Sequence, residues 1–354
     1  MFLLEAWPVV KERAHWAGIP NNVFNEHLLT EEYITLIEEV NKKKDKYQCI
    51  VTLPFFHVGS ENFGVEFTDE NIKLSCVVSY WCNMPLMASS AARSPIIEAK
   101  NIMQFFSPGF ISKAIQDDLP NKKDFLVLYD KSPINAYEKS LLENSEKIFD
   151  NGQFELWSLP YDQVFGDNSG EIWDKYDLRK DSLLHEGIFE VSQGGALLAY
   201  NSFDTSKSDL VYKGQGALKV KKGNFTTLFE SGSALKQNVE YTISFWYYNR
   251  GELINQVLLA VEECRQDGTG CKWDLIWDPR TSMMIDGDWT LVEQTFQIPD
   301  STEKVKIIVY GDMAPQQDIY IDEFLLRRAD ADVYRLVQDG NVLFRNNWWI
   351  SKPR

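Results

Sequence analysis

The sequence predicts two domains of different class: a three-layer α/β domain with a mostly parallel sheet, followed by an all-β antiparallel sandwich. The length of 354 residues exceeds that of one typical domain. Up to about residue 165, short apolar strand patterns alternate with helical patterns, which is typical of a sheet covered on both faces. After about residue 182, strand patterns recur at short intervals between turn residues, with almost no helix.

In the first predicted domain, residues 1–165, the clearest helix lies at residues 29–46, where Tyr33, Leu36 and Val40 share one face. Further helical patterns run from about Ile96 to Phe106, around "ISKAIQDDL" and near "AYEKSLLENSEKI". Four apolar runs are predicted to be strands: "YQCIVTLPF", "KLSCVVSYW" (73–81), "DFLVLYD" (124–130) and "QFELWSLP".

Residues 166–181 lose periodicity and are rich in Asp, Asn and Gly, which predicts a linker. Residues 182–330 form the predicted sandwich. Residues 331–354 are predicted to add one more hairpin as a C-terminal tail, with Asp339 and Gly340 at its turn.

The charge balance argues against nucleic acid as a partner. The formal charge is −16 and the pI is about 4.8, so the chain would repel a phosphate backbone. No window reaches the roughly 18 apolar residues of a membrane span, and the N-terminus does not resemble a signal peptide. The chain as given is therefore predicted to be soluble. Its short apolar opening also suggests a fragment of a longer protein.

The five cysteines divide into two groups. Cys49, Cys76 and Cys82 lie in apolar surroundings and are predicted to be small buried hydrophobes. Cys264 and Cys271 bracket a turn between two strand patterns, so they either face each other as a disulfide or stay free. A disulfide would indicate an oxidising compartment. The chain lacks CxxC spacing, so zinc is not expected.

A polar cluster follows the first strong strand. His57, Ser60 and Glu61 lie at its carboxyl end, and Arg93 follows the second predicted strand. Ligands of open α/β sheets bind at this edge, so these four residues could belong to a hydrolase or transferase site or could contact a ligand. An ordinary loop is the favoured interpretation, because Gly, Ser and Asn are common loop residues and no nucleophile-elbow motif is present. The enzyme alternative requires the side chains to converge in one pocket.

Several motifs in the first half resemble a known family. The stretches "YQCIVTLPFFHVGSENF", "ARSP", "FLVLYDKSP" and "IFDNGQFELWSLP" resemble the soluble, extracytoplasmic C-terminal region of bacterial type C membrane glycosyltransferase-like proteins. The resemblance covers about residues 1–160. It implies a domain normally tethered to a membrane portion, of its own chain or of a companion protein, and a catalytic acid on a membrane-proximal loop that is absent here.

The second half resembles a different family. The stretches "GIFEVSQGG", "YKGQGALKV", "YTISFWYYN", "WTLVEQTFQIP" and "IYIDEFLLRR" occur in the order found in jelly-roll, galactose-binding-like carbohydrate-binding modules of the family 4 and 9 type. The resemblance implies a structural calcium held by Glu190 and Asp322, with oxygen ligands that suit a hard cation. The usual Trp soon after the first acid is missing, which weakens the case for a sugar-binding cleft.

Strand alternation predicts the rings that would contact a glycan. In "YTISFWYYN", large aromatic residues occur on both faces of the strand, so Trp246 and Tyr248 are predicted to lie opposite the core. In "KWDLIWD", Trp273 and Trp277 repeat on one face in the same way. The competing interpretation is that these rings pack in the core or across strands.

Taken together, the residue patterns and the two resemblances predict a non-catalytic, extracytoplasmic glycan-binding or accessory region, associated with a membrane glycosyltransferase-like protein. The first alternative is an enzyme that uses His57, Ser60 and Arg93. The second is a structural or protein-interaction module without a ligand.

Overall fold

The computed structural model describes residues 29–58, 69–90, 96–221, 223–231, 235–248, 257–264, 270–277, 282–298, 304–311 and 318–353. They form two compact units, which are described separately. The first contains residues up to 58, 69–90 and 119–163, and the second contains residues 96–118 and 164–353. In the described ranges the α-helices are α1 Glu31–Lys43, α2 Asp69–Cys82, α3 Ile96–Met103, α4 Ile115–Asp118, α5 Ala136–Glu143, α6 Tyr161–Phe165 and α7 Ser169–Asp177. None of these helices is long and apolar enough to cross a membrane.

The first unit contains a four-stranded mixed sheet. Its strands are β1 Tyr47–Leu53, β4 Asp124–Tyr129, β5 Glu146–Asp150 and β6 Glu155–Leu159, in the order β1-β4-β6-β5. Only β1 and β4 pair in parallel; β4–β6 and β6–β5 are antiparallel. The prediction of a mostly parallel sheet is therefore wrong for this sheet. The strands β2 His57–Val58 and β3 Ser89–Ser90 form a separate short parallel pair. The three-layer arrangement stays a prediction.

Helix α2 lies where the sequence predicted a strand. The apolar run at 73–81 was predicted to be a strand, but it lies inside this helix. Leu74, Val77, Val78 and Cys82 are buried in one core cluster with residues of α1, at the i, i+3 and i+4 spacing of a helix face. A short run with apolar residues at six of its nine positions fits a buried strand and a buried helix equally well, so composition could not separate the two.

The second unit contains a sandwich of two antiparallel sheets. The larger sheet has the order β10-β18-β12-β16-β15, with β9 also paired to β18, and the smaller sheet has the order β11-β17-β13-β14. The strands are β9 Leu197–Asn201, β10 Leu218–Val220, β11 Phe225–Glu230, β12 Glu240–Tyr248, β13 Val257–Cys264, β14 Lys272–Trp277, β15 Ile285–Asp286, β16 Trp289–Gln297, β17 Lys304–Gly311 and β18 Ile319–Arg328. Alternate residues of these strands bury a shared apolar core, so the predicted antiparallel sandwich is confirmed.

A third sheet of the second unit includes the C-terminal tail. The strands β7 Leu184–Glu186, β8 Phe189–Val191, β19 Val333–Val337, β20 Val342–Arg345 and β21 Trp348–Ser351 pair in the antiparallel order β21-β20-β19-β8-β7. The predicted hairpin is present as β19–β20, and Asp339 and Gly340 at its turn both have positive φ, of 54° and 84°. A separate apolar cluster joins this sheet to Leu325 on the outer face of the six-stranded sheet. The tail is therefore part of the packed structure.

Two segments depart from the predicted division of the chain. Residues 169–177, within the predicted linker, form α7, whose Trp173 and Tyr176 are buried with Tyr334, Leu343 and Ile350. Residues 96–118, within the predicted first domain, belong to the second unit. There the Ser107 hydroxyl donates to the Ile285 carbonyl at 3.0 Å and accepts from the Ile285 N–H at 2.9 Å.

Candidate functional site

Two of the predicted binding rings are buried. Alternation along β12 is as predicted: Tyr241, Ile243, Phe245 and Tyr247 face the sandwich core. Trp246 and Tyr248 lie on the opposite face, yet they are only 0% and 8% exposed. The prediction that these two rings are open to a glycan is wrong, because other parts of the same chain cover them.

The covering residues come from two segments. Tyr212 stacks on Trp246 with ring centroids 4.0 Å apart, and Trp348 of β21 meets Trp246 edge-on at 5.2 Å. The Trp246 indole N–H donates to the carbonyl oxygen of Asn347 at 2.9 Å. Trp246 is therefore a packing residue between the six-stranded sheet and the C-terminal strands.

The exposed rings lie on the outer face of the smaller sheet of the sandwich, β11-β17-β13-β14. Along β17, Val305, Ile307 and Val309 face the core, so Tyr310 is directed outward. Phe225 on β11 pairs with Tyr310 in register, and their ring centroids are 5.0 Å apart.

Trp273 on β14 completes this surface. Its ring meets Phe225 edge-on at 5.1 Å. Phe225 is 56% exposed, Trp273 is 40% exposed and Tyr310 is half-buried. We call Phe225, Trp273 and Tyr310 the ring platform.

Polar groups border the ring platform. The Trp273 indole N–H donates to a carboxylate oxygen of Glu262 at 3.4 Å. The ammonium of Lys306 lies 4.0 Å from Glu262 and 3.9 Å from Glu230, on neighbouring strands. Exposed ion pairs of this length contribute little to stability, so these groups can exchange partners without a large cost. The face thus offers flat apolar rings beside hydrogen-bond donors and acceptors.

Sequence reasoning found one member of the ring platform and missed two. Trp273 was predicted, whereas Phe225 and Tyr310 were not singled out. The pattern "KVKIIVYG" contains the missing information, because Tyr310 lies in phase with Lys304 and Lys306 and out of phase with Val305, Ile307 and Val309. Trp277 ends β14, and its side chain lies outside the described residues.

The predicted hairpin next to this face is closed by a disulfide. Strands β13 and β14 pair antiparallel, and Cys264 and Cys271 are bonded, which decides between the two alternatives for this pair. Burial raises the pKa of the Cys49 thiol to about 12 and that of Cys82 to about 11. Both therefore behave as buried apolar residues, as predicted.

The two predicted calcium ligands already accept protein hydrogen bonds. A Glu190 carboxylate oxygen accepts from the Tyr176 hydroxyl at 2.7 Å. Buried Asp322 accepts from the backbone N–H groups of Tyr212 at 2.8 Å, Lys213 at 3.1 Å and Glu323 at 2.8 Å.

Within the part of the chain that the structure describes, three possible metal ligands lie close together at one place, Glu262 with Cys264 and Cys271, whose sulfurs form the disulfide. Glu190 and Asp322 do not belong to this group, and calcium held by them stays a prediction.

Of the four residues predicted to form an enzyme site at the edge of the sheet, His57 is the one that lies within the described residues. This residue is buried in β2, beside Ser89 of β3. Ser60, Glu61 and Arg93 lie outside the described residues. Their convergence with His57 therefore stays a prediction.

Glu323 is a buried acid on the covered side of the six-stranded sheet. It is 1% exposed, and its carboxylate accepts from the Tyr200 hydroxyl at 2.6 Å. Burial raises the pKa of Glu323 to about 7, with further raising by Asp322 and Asp204 and opposing effects of the Tyr200 hydrogen bond and Arg335. The folded state therefore binds this proton more tightly than the unfolded state does.

This difference predicts a pH dependence of stability. The contribution of Glu323 to the free energy of unfolding is largest below the unfolded pKa, about 4.5, and decreases as pH rises through about 7. Replacing Glu323 by glutamine is expected to remove this decrease, which amounts to about 3 kcal/mol. Urea unfolding of both proteins between pH 4.5 and 8 checks this result, and parallel stability curves would contradict it.

Part of the chain, including most of the sandwich, is similar to a known family of domains. Residues 181–317 match the family 4 and 9 model described as a carbohydrate binding domain. All three ring-platform residues lie within the match. The chain thus contains a β-rich region that is similar to carbohydrate-binding domains, and the match supports a glycan-binding role. No curated protein matches the sequence.

Several solved structures are similar to the same part of the chain. One is the CBM22-1 xylan-binding domain of Paenibacillus barcinonensis Xyn10C, at 12% identity and a TM-score of 0.25, covering 40% of this chain and 85% of that chain. Another is the C-terminal family 22 carbohydrate-binding module of Clostridium thermocellum Xyn10B, at 16% identity and a TM-score of 0.24, covering 41% and 89%.

Proposed function

We propose that the second unit binds a glycan on the ring platform, by stacking sugar rings on Phe225, Trp273 and Tyr310. The observation that carries the proposal is the exposure of large aromatic rings, in mutual contact, on a sheet face opposite the sandwich core. Leaving such apolar area in water is unfavourable unless a partner covers it. A pyranose presents an apolar C–H face to a ring and hydroxyl groups at its edge.

The bordering charges complement the rings. Glu230, Glu262 and Lys306 supply acceptors and donors beside Trp273. Hydroxyl groups both donate and accept, so a neutral oligosaccharide can bond to the carboxylates and the ammonium together. The formal charge of −16 also favours a neutral glycan over a polyanionic one.

The decisive variant is Trp273→Ala. Isothermal titration against a panel of neutral oligosaccharides is expected to show binding by the unmodified chain and affinity at least about tenfold weaker in the variant, because truncating a central aromatic contact typically costs 2 kcal/mol or more. Phe225→Ala is expected to act in the same direction.

Leu336→Ala is the matched control, because Leu336 is 44% exposed on β19 and lies outside the ring platform. It should leave the affinity unchanged. If no oligosaccharide binds the folded chain, or if Trp273→Ala binds as tightly as the unmodified chain, the glycan proposal fails. A protein ligand captured through the same rings would then be the alternative to test.

We also propose an association with a membrane protein and an extracytoplasmic location. Association with a membrane glycosyltransferase-like protein is supported by the sequence resemblance of residues 1–160. An extracytoplasmic location is supported by the disulfide between Cys264 and Cys271, since such bonds persist in oxidising compartments. Thiol labelling of the natural protein in intact cells, with and without reductant, would test the location.

A further inference from the structure

A polar cavity lies on the opposite side of the sandwich from the ring platform. It has a volume of about 380 Å³ and lies between the β9–β18 edge of the six-stranded sheet and the β19–β20 hairpin. Its polar and aromatic lining includes Tyr200, Asp204, Lys213, Glu323, Arg335 and Trp349. The volume is near the lower end of the range of about 300–1,000 Å³ that is typical of small-molecule sites.

An irregularity in β18 directs acidic side chains to this side. Ile321 and Phe324 both face the sandwich core, although residues three apart in a regular strand face opposite sides. Glu323 has a φ of +55°, and the pairing of β18 with β12 shifts register at this point. Such a bulge places the side chains of Asp322 and Glu323 on the same, outer side of the sheet. A non-glycine residue in this conformation costs energy and is often found at a functional site.

Several lining groups have hydrogen-bonding capacity that the described residues do not use. Arg335 and Lys213 form no ion pair within 4 Å inside the described ranges, although both line the cavity with acids. Arg335 lies over the Phe189 ring at 5.9 Å, and Lys213 lies 6.0 Å from the Trp349 ring. The indole N–H of Trp349 is buried and has no acceptor among the residues described.

These groups define the chemistry of a ligand. Arg335 and Lys213 supply donors to the same small space in which exposed Asp204 supplies an acceptor, and Trp349 and buried Glu323 complete the lining. A bare cation would meet two positive side chains there, and an anion would meet the Asp204 carboxylate. A neutral polyol avoids both conflicts, because each hydroxyl can accept from one group and donate to another.

We propose that this cavity binds a single neutral pyranose, either a free monosaccharide or the end residue of a glycan chain. Arg335, Lys213 and Asp204 bond to its hydroxyl groups, and the indole of Trp349 contacts its apolar face. The site is separate from the ring platform and does not depend on glycan binding there.

The test uses the full chain and a panel of D-glucose, D-galactose, D-mannose and D-xylose, with D-glucuronate as a charged comparison. Saturation-transfer NMR and isothermal titration are expected to detect at least one neutral monosaccharide. Arg335→Ala should weaken that binding about tenfold or more, because it removes a charged hydrogen-bond donor. Val342→Phe, which adds bulk to the cavity lining, should weaken it without removing any polar group.

Two variants distinguish binding in the cavity from binding on the ring platform. Trp273→Ala should leave monosaccharide binding unchanged, and Arg335→Ala should leave oligosaccharide stacking on the ring platform unchanged. Thermal unfolding confirms that each variant is folded. The pocket proposal is overturned if no neutral monosaccharide binds, if only glucuronate binds, or if binding persists in both folded pocket variants.

Discussion

Replacement of Trp246 by alanine is expected to lower the free energy of unfolding by about 3–5 kcal/mol. The side chain is fully buried, stacks on Tyr212 and meets Trp348 edge-on. Its indole N–H also donates to the Asn347 carbonyl oxygen, which the variant would leave without this donor. The loss therefore combines a large cavity with a broken buried hydrogen bond.

Trp273→Ala is the matched control for this prediction. Both variants remove an indole, but Trp273 is 40% exposed, so its loss should cost about 1 kcal/mol or less. Urea unfolding followed by circular dichroism measures both. Equal destabilisation by the two variants would contradict the assignment of Trp246 to packing and of Trp273 to the surface.

Ending the chain after Ala331 is expected to produce the largest loss of stability. The truncation removes β19, β20 and β21, and with them Val333 and Phe344 from one apolar cluster and Leu343 and Ile350 from another. It also uncovers Trp246, because Asn347 and Trp348 are lost. We expect a loss of more than about 5 kcal/mol, since each fully buried large apolar side chain contributes about 1.5–3 kcal/mol.

Thermal unfolding and intrinsic fluorescence check this outcome. The emission of the truncated chain should shift to the red as Trp246 meets water, if the chain folds at all. Leu336→Ala tests the same hairpin without uncovering the sheet and should change stability by no more than about 0.5 kcal/mol. A truncated chain with the thermal midpoint of the full chain would show that the tail is dispensable.

Much of the secondary structure was predictable from local pattern. Helix α1 and strands β1, β4 and β6 fall where periodicity and β-branched residues indicated them. One exception is the run at 73–81, whose six apolar residues out of nine are compatible with a buried strand and with a buried helix. Another is the end of "AYEKSLLENSEKI", which was predicted to be helical but begins strand β5. The pairing direction in the first sheet could also not be predicted from the sequence, because an apolar strand is compatible with parallel and antiparallel neighbours.

The candidate site, like the fold, was only partly predictable from the sequence. Alternation placed Trp246 and Trp273 correctly on faces that point away from the core, yet only one of these faces is open. Nothing in "SFWYYN" indicates that residues 346–349, about 100 positions later, return to cover it. Phe225 and Tyr310 become a pair through the register of β11 with β17, which is a long-range property.

The sequence by itself determined which residues alternate, where turns interrupt the strands, and that the second half is an antiparallel sandwich, because backbone geometry imposes a period of two on every strand. Only the tertiary structure decided which sheet face meets water. That choice depends on contacts between segments far apart in the chain, such as Trp246 with Trp348, whose free energy comes from mutual burial and leaves no trace in either local pattern.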